Sequence, residues 1–248
     1  MATTARGRRS PTSTKRTVKF GIVVFPGSNC DQDCRHALGR VLGQRVTYLW
    51  HQAHDLEDCD AVILPGGFSY GDYLRTGAVA RFSPILGEVL RFAKRGGLVV
   101  GICNGFQILL EAGLLPGAML RNAGLRFLCQ DVDLRVETAD APCTRGYRQG
   151  QVIRMPIAHG EGNYFADDDA LARLESEGRV LLRYCTPQGE LTEDANPNGS
   201  MHAIAGLCNE QRNVMALMPH PERCAEEILG NDDGRAFFTG LVEAACRR

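Results

Sequence analysis

The chain has 248 residues, of which 44% are hydrophobic and 23% are charged, and its formal net charge is −1. This length suffices for one domain with a full core, and the average composition excludes a disordered chain and a fibrous protein. Since a net charge near zero provides no basic field for phosphate backbones or anionic lipids, we expect neither a nucleic acid nor a membrane as a partner.

Residues 1–17 differ in composition from the rest of the chain. They contain several arginine, serine and threonine residues and no acidic residue. We interpret this segment as a basic, disordered tail and residues 18–248 as one folded domain. Leaders for import into organelles have a similar composition, but this segment is short and has no clear apolar face.

Ten cysteines are spread along the chain, and several lie within apolar runs, such as Cys208 and Cys246. A disulfide framework is one explanation, but dispersed cysteines in a chain of this size favour reduced thiols. No apolar run reaches the roughly 20 residues that cross a bilayer, and the N-terminus lacks the apolar core of a secretory signal. We therefore expect a cytoplasmic protein.

Apolar runs without alternation occur in the first half of the chain at residues 20–25, 46–50, 61–64 and 98–102. Such runs predict strands that are buried on both faces. Residues 31–42 and 83–94 carry apolar residues at spacings of three and four and therefore predict helices, the first capped by Ser28 or Asn29. Strands that alternate with helices indicate a parallel sheet.

The pattern changes beyond residue 125. Residues 132–136 alternate strictly between apolar and polar, which predicts a half-exposed strand, and further strands near Ile204 and Val214 follow without regular helices. A last helix is predicted for residues 234–245, with one apolar face formed by Phe237, Leu241, Val242 and Ala245. The fold class is therefore α/β, with an open, mostly parallel sheet flanked by helices and an antiparallel extension.

The sequence VVGICNGFQILL at residues 99–110 runs from a buried strand through a glycine-flanked turn into an apolar helix. The pattern Gly-x-Cys-x-Gly around Cys103 has the spacing of a nucleophile elbow, in which small neighbours permit a strained backbone. A thiol at a helix N-terminus is also shifted towards the thiolate, which is the reactive form. We predict that Cys103 is a nucleophile; the alternative is an ordinary buried cysteine.

A cysteine nucleophile needs a base, and His220 is the best candidate among the histidines. It lies in LMPHPER at residues 217–223, where two prolines hold their neighbours in extended conformations. Because residues two apart point the same way in an extended chain, Glu222 is expected beside the imidazole, where it would fix the tautomer. The alternative is a proline-rich surface turn.

Attack on an amide creates an oxyanion, which needs hydrogen-bond donors already aimed at it. The backbone N–H of Asn104 follows the nucleophile directly, and the glycine pair in LPGGF at residues 64–68 can turn N–H groups inward at Gly67 and Phe68. A phosphate-binding loop is the alternative for this segment, but the spacings of the known phosphate and dinucleotide loops are absent.

With the elbow, the glycine pair and His-Pro-Glu in this order, the chain resembles the triad-type, class I glutamine amidotransferases. Four segments narrow this resemblance to the glutaminase subunits of phosphoribosylformylglycinamidine synthase. They are FPGSNCD at residues 25–31, GGFSYGDYLR at 66–75, HGEG at 159–162 and NPNGS at 196–200. The resemblance extends from about residue 18 to the last helix, and Thr76 departs from it, since cysteine is more frequent there.

The resemblance implies a flavodoxin-like fold and a role for each matching residue. It implies a triad of Cys103 as nucleophile, His220 as base and Glu222 as supporting acid. It places around the oxyanion and the substrate the residues Gly67, Phe68, Asn104 and Gln107. It places on loops that face the partner or its substrate the residues Arg75, Arg121, His159 and Glu161.

The resemblance also implies a reaction and partners. The chain would hydrolyse glutamine to glutamate and ammonia. A separate large synthetase subunit would use the ammonia, with ATP and magnesium, to convert formylglycinamide ribonucleotide into formylglycinamidine ribonucleotide in purine biosynthesis. A small third subunit is implied as well, and no cofactor or metal is expected in this chain.

Three other functions stay open at this point. The chain could supply ammonia to a different synthetase, act as a cysteine hydrolase or peptidase on the same fold, or serve as a binding module in which Cys103 is merely buried. Cys30 and Cys34 share a predicted helix face and could bind a metal, but no cysteine or histidine near them in the sequence completes a set of four ligands. We therefore assign both thiols to core packing.

Overall fold

The structure is a computed structural model and describes residues 17–247. The tail predicted for residues 1–17 lies outside the described residues except for Thr17, and so does the last residue of the predicted domain, Arg248. Within residues 17–247, no helix has both the length and the apolar character needed to cross a membrane.

The strands are β1 (Lys19–Val24), β2 (Arg45–Trp50), β3 (Ala61–Leu64), β4 (Leu98–Ile102), β5 (Ala118–Leu120), β6 (Leu128–Val136), β7 (Val152–His159), β8 (Asn163–Phe165), β9 (Val180–Cys185), β10 (Ile204–Cys208) and β11 (Val214–Leu217). The α-helices are α1 (Asp31–Arg35), α2 (Pro84–Lys94), α3 (Asn104–Glu111), α4 (Asp168–Ser176) and α5 (Asp233–Cys246).

Among the described residues, nine strands form one sheet in the order β2-β1-β3-β4-β11-β10-β9-β6-β7, and β5 pairs with β8 separately. Strands β2, β1, β3, β4 and β11 are parallel, whereas β10, β9, β6 and β7 pair antiparallel. The predicted α/β class, with a parallel half and an antiparallel extension, is therefore confirmed.

Helix α4 contradicts the expectation that no regular helix separates the strands beyond residue 125. The other predicted strands and helices agree closely with the structure, apart from the first helix. Instead of one helix over residues 31–42, α1 is short and continues as a π-helical turn at His36–Val41, where the N–H of Leu42 donates to the carbonyl of Ala37. Gly39 in this turn weakens the preference for a regular α-helix. The predicted cap is also wrong. Cys30 is the cap residue, and the Ser28 hydroxyl instead accepts the N–H of Phe25.

The carboxyl ends of the parallel strands lie along one edge of the sheet. The loops that leave β1, β3, β4 and β11 at this edge carry Cys30, Gly67, Cys103 and His220. Ligands bind at this edge in open α/β sheets, because loops from neighbouring strands converge there. Segments that are far apart in the sequence thus meet at one place.

Helix α3 lies unusually close to the sheet because glycines remove the side chains between them. A Cβ atom on Gly105 would lie 1.9 Å from the carbonyl oxygen of Leu64 in β3. A Cβ atom on Gly101 would lie 2.6 Å from the carbonyl carbon of Gly105. Backbone therefore packs directly on backbone, and this contact sets the position of the turn at Cys103.

We predict that Gly105→Ala destabilises the fold although alanine is the better helix former. The gain in helix propensity is about 1 kcal/mol, whereas the overlap with Leu64 forces α3 away from the sheet, so we expect a net loss of about 3 kcal/mol. Urea denaturation measures this difference. Gly124→Ala is the control, since a Cβ there meets no atom within 4 Å; equal stability of the two variants would contradict the close-packing argument.

Candidate active site

Cys103 occupies the sharp turn between β4 and α3. Its backbone has φ 51° and ψ −105°, in a region that residues other than glycine rarely adopt. Its N–H donates to the carbonyl of Leu217 at 2.8 Å, and its thiol lies 3.7 Å from the carbonyl oxygen of Ala158. The side chain is 4% exposed and stands at the N-terminus of α3. These are the features expected of a nucleophile elbow.

His220 and Glu222 form a buried pair in the loop that follows β11. The imidazole Nδ1 lies 2.6 Å from Glu222 Oε1, and the two residues are 1% and 3% exposed. The contact was expected, but the reason given for it is wrong, because Pro221–Arg223 forms a 3₁₀ turn rather than an extended chain. Within residues 17–247, Nε2 is buried without a hydrogen-bond partner. The carboxylate thus holds the Nδ1 proton and leaves Nε2 for chemistry.

The charge balance around His220 favours its imidazolium form. Burial opposes the charged ring, but the negative charges of Glu222 and then Cys103 outweigh it and raise the pKa of His220 well above its usual range. His159 behaves in the opposite way, because burial and the charge of His220 lower its pKa to about 4. The surroundings therefore shift the two histidines in opposite directions, His220 towards the imidazolium and His159 towards the neutral ring.

The predicted oxyanion donors differ in availability. Asn104 is the first residue of α3, so its N–H has no partner within the helix. Gly67 has φ 142°, as the glycine pair suggested. The N–H of Phe68, however, donates to the carbonyl of Gly27 at 2.9 Å. In this conformation, Phe68 therefore anchors its own loop and does not point a donor at the site.

Gln107 ties helix α3 to the loop that follows β7. Its Oε1 accepts from Asn104 Nδ2 at 2.9 Å, and its Nε2 donates to the carbonyl of Glu161 at 2.6 Å. Asn104 is connected in turn to the loop after β3, since its Oδ1 accepts the N–H of Ser69 at 3.1 Å. Both ends of the Gln107 amide are thus occupied by the protein itself.

Some of the residues that were predicted to face a partner lie on the surface, and others are buried. Arg75 is exposed and forms a bidentate ion pair with Glu111, at 2.6 and 2.8 Å. The carboxylate of Glu161 accepts the hydroxyl of Thr76 at 2.9 Å. His159 is only 3% exposed, and its Nδ1 lies 3.1 Å from Asn122 Oδ1. Its ring is therefore not part of the surface, whereas Arg75 is.

Asp72, in the loop that follows β3, was not predicted individually as a site residue from the sequence. Burial, followed by the charge of Glu161, raises its pKa to about 6. Its Oδ1 lies 3.5 Å from Asn104 Nδ2. Asp72 belongs to the segment GGFSYGDYLR, one of the four that match the family. The length of this matching segment was the only feature of the sequence that could have identified Asp72 as a site residue.

Cys30 is a second missed residue. Cys34 is fully buried in the apolar core, as assigned; Cys30 is also buried, but it lies outside the apolar cluster, and its sulfur lies 3.9 Å from His220 Nδ1. The ligand-type atoms of Cys30, His220 and Glu222 lie within 4.8 Å of one another. The position of Cys30 in the loop after β1, at the carboxyl edge of the sheet, was the signal available in the sequence.

We predict that Glu222→Gln lowers the pKa of His220. The neutral amide removes the charge that stabilises the imidazolium, while the burial that opposes it remains, so the ring should lose its proton at a lower pH. Titration of the histidine ring signals by NMR measures the change. Glu226→Gln is the control, because Glu226 contacts the exposed His36 at 2.6 Å; a His220 titration that is the same in both variants would contradict the argument.

Comparisons with known proteins identify the family of this chain. The family of CobB/CobQ-like glutamine amidotransferase domains matches residues 17–235. The phosphoribosylformylglycinamidine synthase subunit PurQ of Koribacter versatilis is 58% identical, over 93% of this chain and all of the relative. The PurQ subunit of Salinibacter ruber is 61% identical, over 91% of this chain and 96% of the relative.

Solved structures add a fold comparison. In the structure of PurLQS from Thermotoga maritima, one chain is 45% identical and superposes with a TM-score of 0.82, over 92% of this chain and 99% of that chain. The glutaminase domain of Trypanosoma brucei CTPS with bound acivicin is 14% identical with a TM-score of 0.58, over 93% of this chain and 94% of that chain. At that identity, the second likeness concerns the fold alone.

Proposed function

Since this chain belongs to the glutamine amidotransferases, and within them to the family of phosphoribosylformylglycinamidine synthase PurQ subunits, we propose that Cys103 cleaves glutamine to supply ammonia to a partner synthetase. The observation that carries this proposal is the strained turn that presents Cys103 at the N-terminus of α3, next to the buried His220–Glu222 pair. Residues 18–248 act as one glutaminase domain.

The chemistry proceeds through a thioester. The Cys103 thiolate attacks the side-chain amide carbon of glutamine, and the C–N bond breaks as His220 gives its proton to the leaving nitrogen, which departs as ammonia. His220 then takes a proton from water, which attacks the thioester, and glutamate leaves as the sulfur is released. Glu222 keeps the imidazole in the tautomer that both steps need.

The oxyanion of each tetrahedral intermediate is stabilised by backbone N–H groups. The N–H of Asn104 is the first donor, because it follows the nucleophile and has no partner within α3. The segment at Gly67 supplies the second. The N–H of Phe68 can contribute only after it leaves the carbonyl of Gly27, to which it donates in this structure.

The ammonia passes to a large synthetase subunit, and a small third subunit completes the complex, as in the PurLQS assembly of Thermotoga maritima. There it converts formylglycinamide ribonucleotide into formylglycinamidine ribonucleotide in purine biosynthesis, with ATP and magnesium bound by the large subunit. Ammonia loses its nucleophilicity when water protonates it, so a route that excludes water favours the transfer. We place this reaction in the cytoplasm.

We predict that Cys103→Ala abolishes glutamine-dependent synthesis in the reconstituted complex, whereas synthesis from added ammonium salt continues. The variant lacks the sulfur that forms the thioester but leaves the synthetase intact. Product formation with each nitrogen source measures the effect. Cys59→Ala is the control, since Cys59 is a buried free thiol away from the site, between β2 and β3. Glutamine use by the Cys103→Ala complex would exclude this nucleophile.

We predict that Glu222→Gln reduces glutamine-dependent turnover less than Cys103→Ala does. Orienting acids in triads contribute less than nucleophiles, and we expect a loss roughly 100-fold smaller than that of the Cys103 variant. Steady-state rates of the complex at saturating glutamine measure both losses. If the two variants lose the same amount, Glu222 does more than support the histidine.

A further inference from the structure

Cys30 precedes α1, and its surroundings are polar rather than apolar. It is 1% exposed, its N–H donates to the carbonyl of Gly66 at 3.2 Å, and it does not belong to the apolar core cluster. Its thiol lies 3.2 Å from Asn29 Oδ1, and Arg223 Nη2 donates to its sulfur at 3.0 Å. A thiol that serves only to fill space has no need of such partners.

The sulfur of Cys30 contacts the imidazole of His220 on its Nδ1 side. The distance from Sγ to Nδ1 is 3.9 Å, compared with 2.6 Å from Nδ1 to Glu222 Oε1. Gly66 packs beside Cys30 on the same edge of the ring, because a Cβ there would lie 2.7 Å from His220 Cε1 and 3.1 Å from Cys30 Sγ. Glu222, Cys30 and Gly66 thus leave the ring little freedom to rotate.

Arg223 brings a positive charge close to the contact between Cys30 and His220. Its guanidinium is half-buried, and the same sulfur that accepts from it lies 3.9 Å from Nδ1 of His220. A guanidinium and an imidazolium on two sides of one sulfur repel each other, and a polarisable acceptor between them reduces that repulsion. Cys30 occupies that intermediate place, since it touches both groups.

We propose that Cys30, held by Arg223, is a positioning residue that fixes the His220 imidazole and supports its charged form during glutamine cleavage. This inference rests on the proposed function, because it concerns the same histidine. Cys30 acts through His220 and not on glutamine itself. It would therefore change the rate and the pH dependence of turnover rather than the binding of the substrate.

A metal ion is the competing use of the same groups, since Cys30, His220 and Glu222 can each offer one ligand atom within 4.8 Å of the others. A divalent cation there would meet the guanidinium of Arg223, which lies 3.0 Å from the sulfur. It would also displace the Nδ1 proton that Glu222 accepts. The positive charge already present favours positioning over metal binding.

Several elements place charged or titratable groups around His220, and the pH test must take account of all of them. Its own loop contributes Glu222 and Arg223, the start of α3 contributes Cys103, and β7 contributes the neutral His159. The segment around α1 contributes Cys30 and Asp33. Only substitution of Cys30 or Arg223 removes the proposed contact without touching the triad.

The experiment compares Cys30→Ala, Cys30→Ser and Arg223→Gln in the reconstituted complex. Cys30→Ala should lower kcat with glutamine by about 10-fold to 100-fold, as expected when a catalytic group is misplaced, with little change in KM and normal use of ammonium salt. Cys30→Ser keeps an acceptor and should recover part of the rate. Cys34→Ala is the matched control, because Cys34 lies one helical turn away and is fully buried in the apolar core.

The alkaline limb of the kcat profile reports the loss of the His220 proton. It should move to lower pH in Cys30→Ala, which loses the acceptor, and to higher pH in Arg223→Gln, which loses the cation and keeps a donor. Opposite shifts would support the proposal. Wild-type kcat and an unmoved limb in Cys30→Ala would overturn it, as would an equal loss in Cys34→Ala. If Cys30→Ala does not assemble, an unmoved limb in Arg223→Gln overturns it.

The positioning role of Cys30 and the proposed cleavage of glutamine by Cys103 can be rejected separately. If the wild-type complex uses glutamine, Cys103→Ala does not, and Cys30→Ala is unchanged, only the role of Cys30 is rejected. If Cys103→Ala still uses glutamine, the proposed function itself is rejected. A metal at these groups would appear as bound zinc in the purified complex that is lost in Cys30→Ala, and that result would also overturn the positioning role.

Discussion

The direct contact between α3 and the sheet is the constraint on which the rest of the site depends. Gly105 lies so close to β3 that a Cβ would meet the Leu64 carbonyl at 1.9 Å, and the chain must therefore turn sharply at Cys103, with φ 51°. A cysteine held in that conformation is strained, and the strain persists because packing on both sides fixes it. The same contact brings the N-terminus of α3 to the carboxyl edge of the sheet, between the loops that carry Gly67 and His220.

The site around this turn contains two buried ionisable side chains, His220 and Glu222. His220 and Glu222 are nearly inaccessible to water, and buried ion pairs contribute little to stability because each ion loses its hydration. Their value lies in chemistry, since an electrostatic interaction is stronger where water is absent. The backbone supports the pair through the N–H of His220, which donates to the Pro156 carbonyl at 2.8 Å, and the contacts of Cys30 and Arg223 extend it.

Predictions from the sequence succeeded where a short segment contains its own information. The buried strands, the helix at Pro84–Lys94 and the turn at Cys103 follow from hydrophobic runs, from spacing and from glycine placement. The prediction of one regular first helix was wrong because the sequence pattern specifies an apolar face but not the type of hydrogen bonding. The π-helical turn still buries apolar residues on that face. The cap failed because Ser28 has a competing partner in the N–H of Phe25.

The sequence by itself determined the alternating strands and helices of the first half of the chain, the family, and the three residues of the proposed triad, since each of these depends on a local pattern. It did not predict β5, β7, β8, β9 or α4. Only the tertiary structure decided which distant groups meet those residues. Cys30 and His220 are 190 positions apart, and their contact exists because β1 and β11 end at the same edge of one sheet. The bond from Phe68 to Gly27 and the bond from Gln107 Nε2 to the carbonyl of Glu161 arise in the same way. These contacts form because loops from different strands converge at one edge of the sheet, and no single segment of the sequence specifies them.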